Sequence, residues 1–135
     1  MASISLAEGV PRLEQLVSGL LFVSEADSPW RLVQLGARPE LDEASLLRAL
    51  GKPESAQVTR QSLERLFARA IADQPWHGAA ERDTVQRYRA LLAFLSEGLD
   101  EARVYRVGTI EVEAYALGRT SDSAWLGVVT TLIET

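Results

Sequence analysis

The sequence predicts an α+β fold: a three-layer α/β/α sandwich on a mixed or antiparallel sheet, ending in an antiparallel three-strand meander. Two observations carry this. Apolar residues recur at helical spacing in four stretches up to Gly98, and the period changes to two from Ala102 onward. The closing segment Ala124–Thr135 then alternates Leu126, Val128 and Leu132 with Trp125, Val129 and Ile133, so both of its faces are apolar. A strand of that kind sits inside its sheet, with a layer packed on each side, and the four helices supply the layers.

The elements follow in order. Leu6, Val10, Leu13, Leu16, Val17 and Leu20 form one helical face. Ser5-x-x-Glu8 has the form of a capping box, but it would put Pro11 inside the helix. Regular helix is therefore expected from near Val10, with Pro11 in its first turn and Gly19 at its end. The apolar run from Leu20 breaks into a polar loop holding Glu25, Asp27 and Pro29. Trp30–Leu35 reads as a strand and Gly36–Pro39 as a turn. Leu41, Leu46, Leu47 and Leu50 mark a short helix, favoured at its start by Asp42-Glu43 and closed by Gly51 and Pro53. Ala56–Val58 has the composition of a very short strand. Leu63, Leu66, Phe67, Ala70 and Ile71 share the face of a third helix, Asp73–Gly78 is a loop, and a fourth helix carries Val85, Tyr88, Leu91, Leu92 and Leu95 up to Gly98.

Beyond Ala102, Arg103–Val107 and Ile110–Leu117 flank Gly108-Thr109, which suits a two-residue type II′ hairpin. That turn pairs Val107 with Ile110, Arg106 with Glu111, and Tyr105 with Val112. Arg106, Glu111 and Glu113 then share one face, opposite Tyr105, Val107, Ile110, Val112 and Ala114. Gly118–Ser123 is the last turn.

Size and composition bound the function. The 135 residues fit one domain, 1–135, with 47% apolar and 24% charged residues, ordinary globular values. No cysteine is present, which excludes disulfides and cysteine-based zinc sites. The first residues lack a basic region and a long apolar run, so a soluble cytoplasmic protein without a membrane span is expected. A net charge of −5 argues against non-specific nucleic-acid binding and suits either simple solubility or a basic protein partner.

Enzyme signatures are missing: no Gly-rich phosphate loop, no G-x-S-x-G, no H-E-x-x-H. The sole histidine, His77, cannot make a typical zinc site alone and reads as an exposed loop residue. Glu111 and Glu113 mimic an acid/base pair, but a cross-strand ion pair with Arg106 is the simpler explanation. Trp30, Trp76 and Trp125 read as core residues, although Trp76, in a Pro-containing loop, is also placed to be an interface anchor. At Thr135 a hydroxyl and the chain's carboxylate stand at the tip of a rigid strand, and both are oxygen ligands a hard cation accepts.

Two segments carry a resemblance. Gly19-Leu-Leu-Phe-Val-Ser-Glu25, followed by Pro29 and an aromatic at Trp30, resembles the N-terminal signature of the nuclease A inhibitor family. Val104-Tyr-Arg-Val-Gly108, Ile110-Glu-Val112, Tyr115, Gly118 and the closing Glu134-Thr135 are similar to its C-terminal half, and Gln74-x-Trp76 also fits. The similarity spans essentially the whole chain, with Gly36–Arg60 matching by pattern more than by identity. Pro75 and His77 depart from the more acidic and aromatic character of the family beside Trp76.

The resemblance implies an α/β/α sandwich and an activity: reversible inhibition of a sugar-non-specific endonuclease that cuts DNA and RNA with a magnesium ion. It implies that the inhibitor plugs the enzyme's cleft, that Thr135 reaches the partner's Mg²⁺, and that Glu25 pairs with basic residues there. Gln74, Trp76 and Glu134 are the further partner contacts it implies. The protein would need no cofactor and hold no metal of its own, would not be an enzyme, and would be a monomer when free. A second reading is a module of the same fold for another basic, non-nuclease partner. A third is a small enzyme using Glu111 and Glu113.

Overall fold

The computed structural model describes residues 3–24, 26–38 and 40–134. Among these residues four helices, α1 (Leu6–Val17), α2 (Glu43–Leu50), α3 (Leu63–Phe67) and α4 (Ala79–Gly98), accompany seven strands. Strands β1 (Leu21–Val23) and β2 (Asp27–Pro29) form a small antiparallel hairpin. The others, β3 (Arg31–Ala37), β4 (Val58–Gln61), β5 (Asp100–Val107), β6 (Glu111–Arg119) and β7 (Ala124–Ile133), form one sheet in the order β3-β7-β6-β5-β4. Every neighbouring pair is antiparallel, and β5, β6 and β7 are the expected meander.

The double apolar character of β7 has the expected consequence. The strand lies between β3 and β6, and its residues from Ala124 to Thr130 are all buried. Leu126, Val128 and Leu132 join Val104, Val112 and Ala116 in a cluster with Leu13 of α1, Phe67 of α3 and Leu91 and Leu95 of α4. Trp125 and Val129 join Tyr105, Tyr115 and Leu117 in a second cluster, with Leu46 and Leu47 of α2. Alternation along each strand thus feeds two separate apolar clusters.

Several boundaries differ from the sequence expectation. Helix α1 starts at Leu6, because Ser5 does cap it: the Ser5 hydroxyl accepts the Glu8 N–H at 3.3 Å, and the Ser5 carbonyl accepts that of Gly9. Pro11 lies within the helix. Its missing N–H deprives only the Ala7 carbonyl, and Ala7 and Pro11 are both exposed, so water can serve that oxygen. The polar stretch after Leu20 is a hairpin, with Phe22 opposite Ser28. The turn expected at Gly36 is a bulge that β3 passes through on its way to Ala37. Strand β4 begins where the short strand was expected to end, at Val58. Asp42 caps α2 through the Ser45 N–H at 2.8 Å, and that bond, with the Ser45 hydroxyl, holds its carboxyl below the usual range.

The β5–β6 register is the largest correction. Val107 faces Glu113, three positions beyond the expected Ile110 (113 against 110), and Arg106 and Tyr105 face Ala114 and Tyr115. An odd shift exchanges the faces of one strand relative to the other. Gly108 is not the first residue of a tight turn. Its N–H donates to Gln57 at 2.9 Å, prolonging the pairing with the β4 side, and its φ of +110° admits glycine alone. The alternation could not fix this register because β6 is apolar on both faces from Ala114 to Leu117.

Candidate functional site

The end of the molecule where β7 finishes is built from segments far apart in sequence. The β1–β2 hairpin is anchored first. Phe22 packs edge-on against Trp30, with ring centroids 5.5 Å apart, and against Tyr88 at 6.0 Å. The Tyr88 hydroxyl receives the Trp30 indole N–H at 3.0 Å and donates to the Leu21 carbonyl at 2.5 Å. Burial pushes its pKa up to about 12, so it remains a neutral donor. Thr130 of β7, itself buried, donates its hydroxyl to the Pro29 carbonyl at 2.9 Å.

Ser24 then joins the hairpin turn to the strand end. Its hydroxyl donates to the Ala26 carbonyl at 3.2 Å and accepts the N–H of Ile133 at 3.1 Å, across 109 residues of chain. On the other side of β7 the Glu134 N–H donates to the Ile110 carbonyl at 2.8 Å, in the loop between β5 and β6. Consecutive amides of the strand end are therefore held from opposite sides. Ser24→Ala removes one of these acceptors. The Ile133 amide is expected to exchange with solvent about tenfold faster, the scale of one ordinary hydrogen bond. Proton exchange followed by NMR checks this, and unchanged protection at Ile133 would remove the role assigned to the hydroxyl.

The expected contact residues fall differently. Glu25 and Thr135 lie outside the described residues; their neighbours Ser24, Ala26 and Glu134 belong to the assembly just given. The Glu134 carboxylate is paired with Arg106, which replaces the expected Arg106–Glu111 pair as a consequence of the register. Glu113 is paired with Lys52 and, at 3.7 Å, with Arg31. Glu111 is exposed at the start of β6. Glu113 is therefore engaged in an ion-pair cluster, while Glu111 stands apart from it at the exposed start of the strand.

Trp30 and Trp125 are core residues, whereas Trp76 is 73% exposed. Its indole meets the His77 ring edge-on at 4.4 Å. The loop is tied to itself and to α4: the Gln74 N–H donates to His77 Nδ1 at 3.2 Å, Arg82 donates to the His77 carbonyl at 3.0 Å, and Arg89 pairs with Asp73 at 3.3 Å. His77 is thus the residue that orders this loop, a part its sequence position did not suggest. Helix α4 runs into β5 through Leu99 alone, so the chain reverses there. The start of α4 lies toward the Val107 end of β5, the end at which β7 finishes. The structure thereby joins Ser24 and Ala26 to Ile133, while Gln74 and Trp76 lie on a separate loop ahead of α4 with its own internal bonds.

Asp27, Glu111 and Glu134 are exposed at this end, with Arg106 beside Glu134. The Tyr115 pKa is pushed up to about 12 by burial and then by the Glu113 carboxylate, which keeps that core phenol neutral. No group of three or more His, Asp or Glu side chains able to hold a metal ion occurs among the described residues. No helix among them is long and apolar enough to cross a membrane.

A family model described as Nuclease A inhibitor-like protein matches residues 7–135. The chain belongs to the nuclease A inhibitor-like family. Among curated proteins, none matches it significantly. The matched residues include the hairpin, the Trp76 loop and the end of β7.

Proposed function

We propose that this protein inhibits a magnesium-dependent, sugar-non-specific endonuclease by inserting the end of the molecule that bears the hairpin turn and the tip of β7 into the enzyme's cleft. The observation that carries the reading is the Ser24–Ile133 bond, which fastens the turn containing Glu25 to the strand leading to Thr135. Both positions have roles in the proposal. A cleft that holds polyanionic phosphate around Mg²⁺ is basic, and a carboxylate at Glu25 forms charge-assisted pairs with its Arg or Lys side chains. Magnesium keeps several waters and takes few protein ligands, so an oxygen of Thr135 can replace one of them. Less entropy is lost on binding when the neighbouring Ser24 and Ile133 are already bonded to each other. Gln74, Trp76 and Glu134 add contacts at the rim, and no bond is broken: the protein acts as a substrate mimic.

Titration of such a nuclease with the purified protein is expected to abolish cleavage of DNA and of RNA at a one-to-one ratio. Full cleavage at tenfold molar excess of the protein would rule the reading out for that nuclease class.

A further inference from the structure

The β1–β2 hairpin has a second apolar face that none of the described residues covers. Phe22 points into the core, while Leu21 and Val23 point away from it, 46% and 73% exposed. Pro29 and Asp27, their cross-strand partners, are exposed as well. Ile110, 64% exposed, adds to this surface from the other side of the strand end, since its carbonyl holds the Glu134 amide while Ser24, next to Val23, holds that of Ile133. Single exposed apolar residues need no explanation. Here Leu21, Val23 and Ile110, large exposed residues among those described, fall on two segments that are both bonded to the end of β7. Grouping of that kind marks an interaction surface.

Resting on the inhibitor reading, we propose that Val23 and Ile110 are apolar anchors flanking the polar contacts, and that they seat on the rim of the target nuclease's basic cleft. Charge selects the occupant. Residues 20–30 contain Glu25 and Asp27 and no cation, so the hairpin part of the face has a negative margin, and Arg106, toward Ile110, is already paired with Glu134. It complements a surface that mixes apolar and cationic groups. A second copy of this chain fits poorly: a two-fold contact centred on the hairpin would bring the exposed Asp27 of both copies together. Three such side chains also bury far less than the roughly 800 Å² per partner of a standing dimer.

The test uses the full chain with Val23→Ser, Ile110→Ser and the double substitution, against a magnesium-dependent, sugar-non-specific nuclease that the native protein inhibits. Each single change is expected to raise the inhibition constant about tenfold, and the double about a hundredfold, as independent exposed sites add. Melting temperatures should stay unchanged because both side chains are exposed, and the heat-capacity change of binding should become less negative. A double variant that inhibits like the native protein would overturn the anchors while leaving the inhibitor reading standing. Failure of the native protein itself to inhibit would remove both. Light scattering that finds a native dimer, lost in the double variant, would assign the face to self-association and overturn the proposal as well.

Discussion

Gly127→Ala is expected to destabilise the fold by at least about 3 kcal/mol, near the upper end for a change of one methyl group. Gly127 lies in β7 opposite Leu117 of β6. A Cβ there would fall 1.8 Å from the Ala116 carbonyl oxygen, 2.8 Å from its carbon and 2.9 Å from Leu117 Cα. All three are backbone atoms, so no side chain can rotate away. Relief requires β6 and β7 to part, at the cost of hydrogen bonds in the middle of the sheet. Leu126 and Val128, on either side, are fully buried and cannot follow such a shift without opening the core. Gly98 supplies the contrast. A methyl at that position meets only side chains at 3.5 Å and beyond, ordinary contact, and Gly98→Ala should change stability by no more than about 1 kcal/mol. Thermal melts of the two variants separate these outcomes, with a fall of roughly 10 °C or more for Gly127→Ala. Equal midpoints for both would show that the strands adjust freely.

The contrast bears on how much of this molecule its sequence disclosed. Where a local rule and a buried face agreed, the expectation was right. Asp42 and Gly51 bracket α2, Gly98 ends α4, and β7, apolar on both sides, lies inside the sheet. Where one face pattern allowed two answers, it failed. Apolar residues on both sides of β6 leave two registers equally patterned, and the choice is made by the Gly108 amide serving Gln57 and by the pairing of Tyr115 with Val129. The hairpin arms are three residues each, too short for any period to declare itself. Pro11 outweighed the Ser5 cap in the sequence reading because the exposure of Ala7 is set by tertiary packing.

The candidate site was legible only in pieces. As a set, Glu25, Gln74, Trp76, Glu134 and Thr135 are implied by the family resemblance alone, and no spacing rule connects them. Ser24 stood in the same signature with no part assigned to it, yet its hydroxyl supplies the connection between residues 24–26 and the end of β7. A serine before an acidic residue in a loop is too common a pair to signal a contact 109 residues away. Val23 read as part of an apolar run and Ile110 as the first residue of a strand, so neither suggested an exposed position. Glu134 is the case where structure adds a constraint: its carboxylate is already paired with Arg106, so a partner's cation must share or displace that guanidinium.

Glu25→Ala is expected to weaken inhibition by about 2–5 kcal/mol, roughly thirtyfold to a few thousandfold. The magnitude follows from what the substitution leaves behind. If the carboxylate pairs with a guanidinium or ammonium group within a closed cleft, its removal strands that cation without a partner and away from water. An exposed pair would contribute about 1 kcal/mol or less, so the size of the effect reports burial. Glu25→Gln separates charge from shape: it keeps the side-chain length and should lose most of the same affinity. Raising the salt concentration should weaken the native complex more than either variant, since the variants have already lost a screened attraction. Combining Glu25→Ala with removal of Thr135 addresses the geometry. Ser24 ties Ala26 to Ile133, so the chain segments that lead to the two contacts are joined to each other. The double variant is then expected to lose less than the sum of the single losses, because either loss alone lets the joined segments tilt in the cleft. Inhibition constants for the native protein, the two single variants and the double variant complete the cycle. Glu25→Ala and Glu25→Gln proteins that inhibit within twofold of the native chain would exclude a buried charge pair at residue 25 and transfer the weight of binding to the strand end and its apolar flanks.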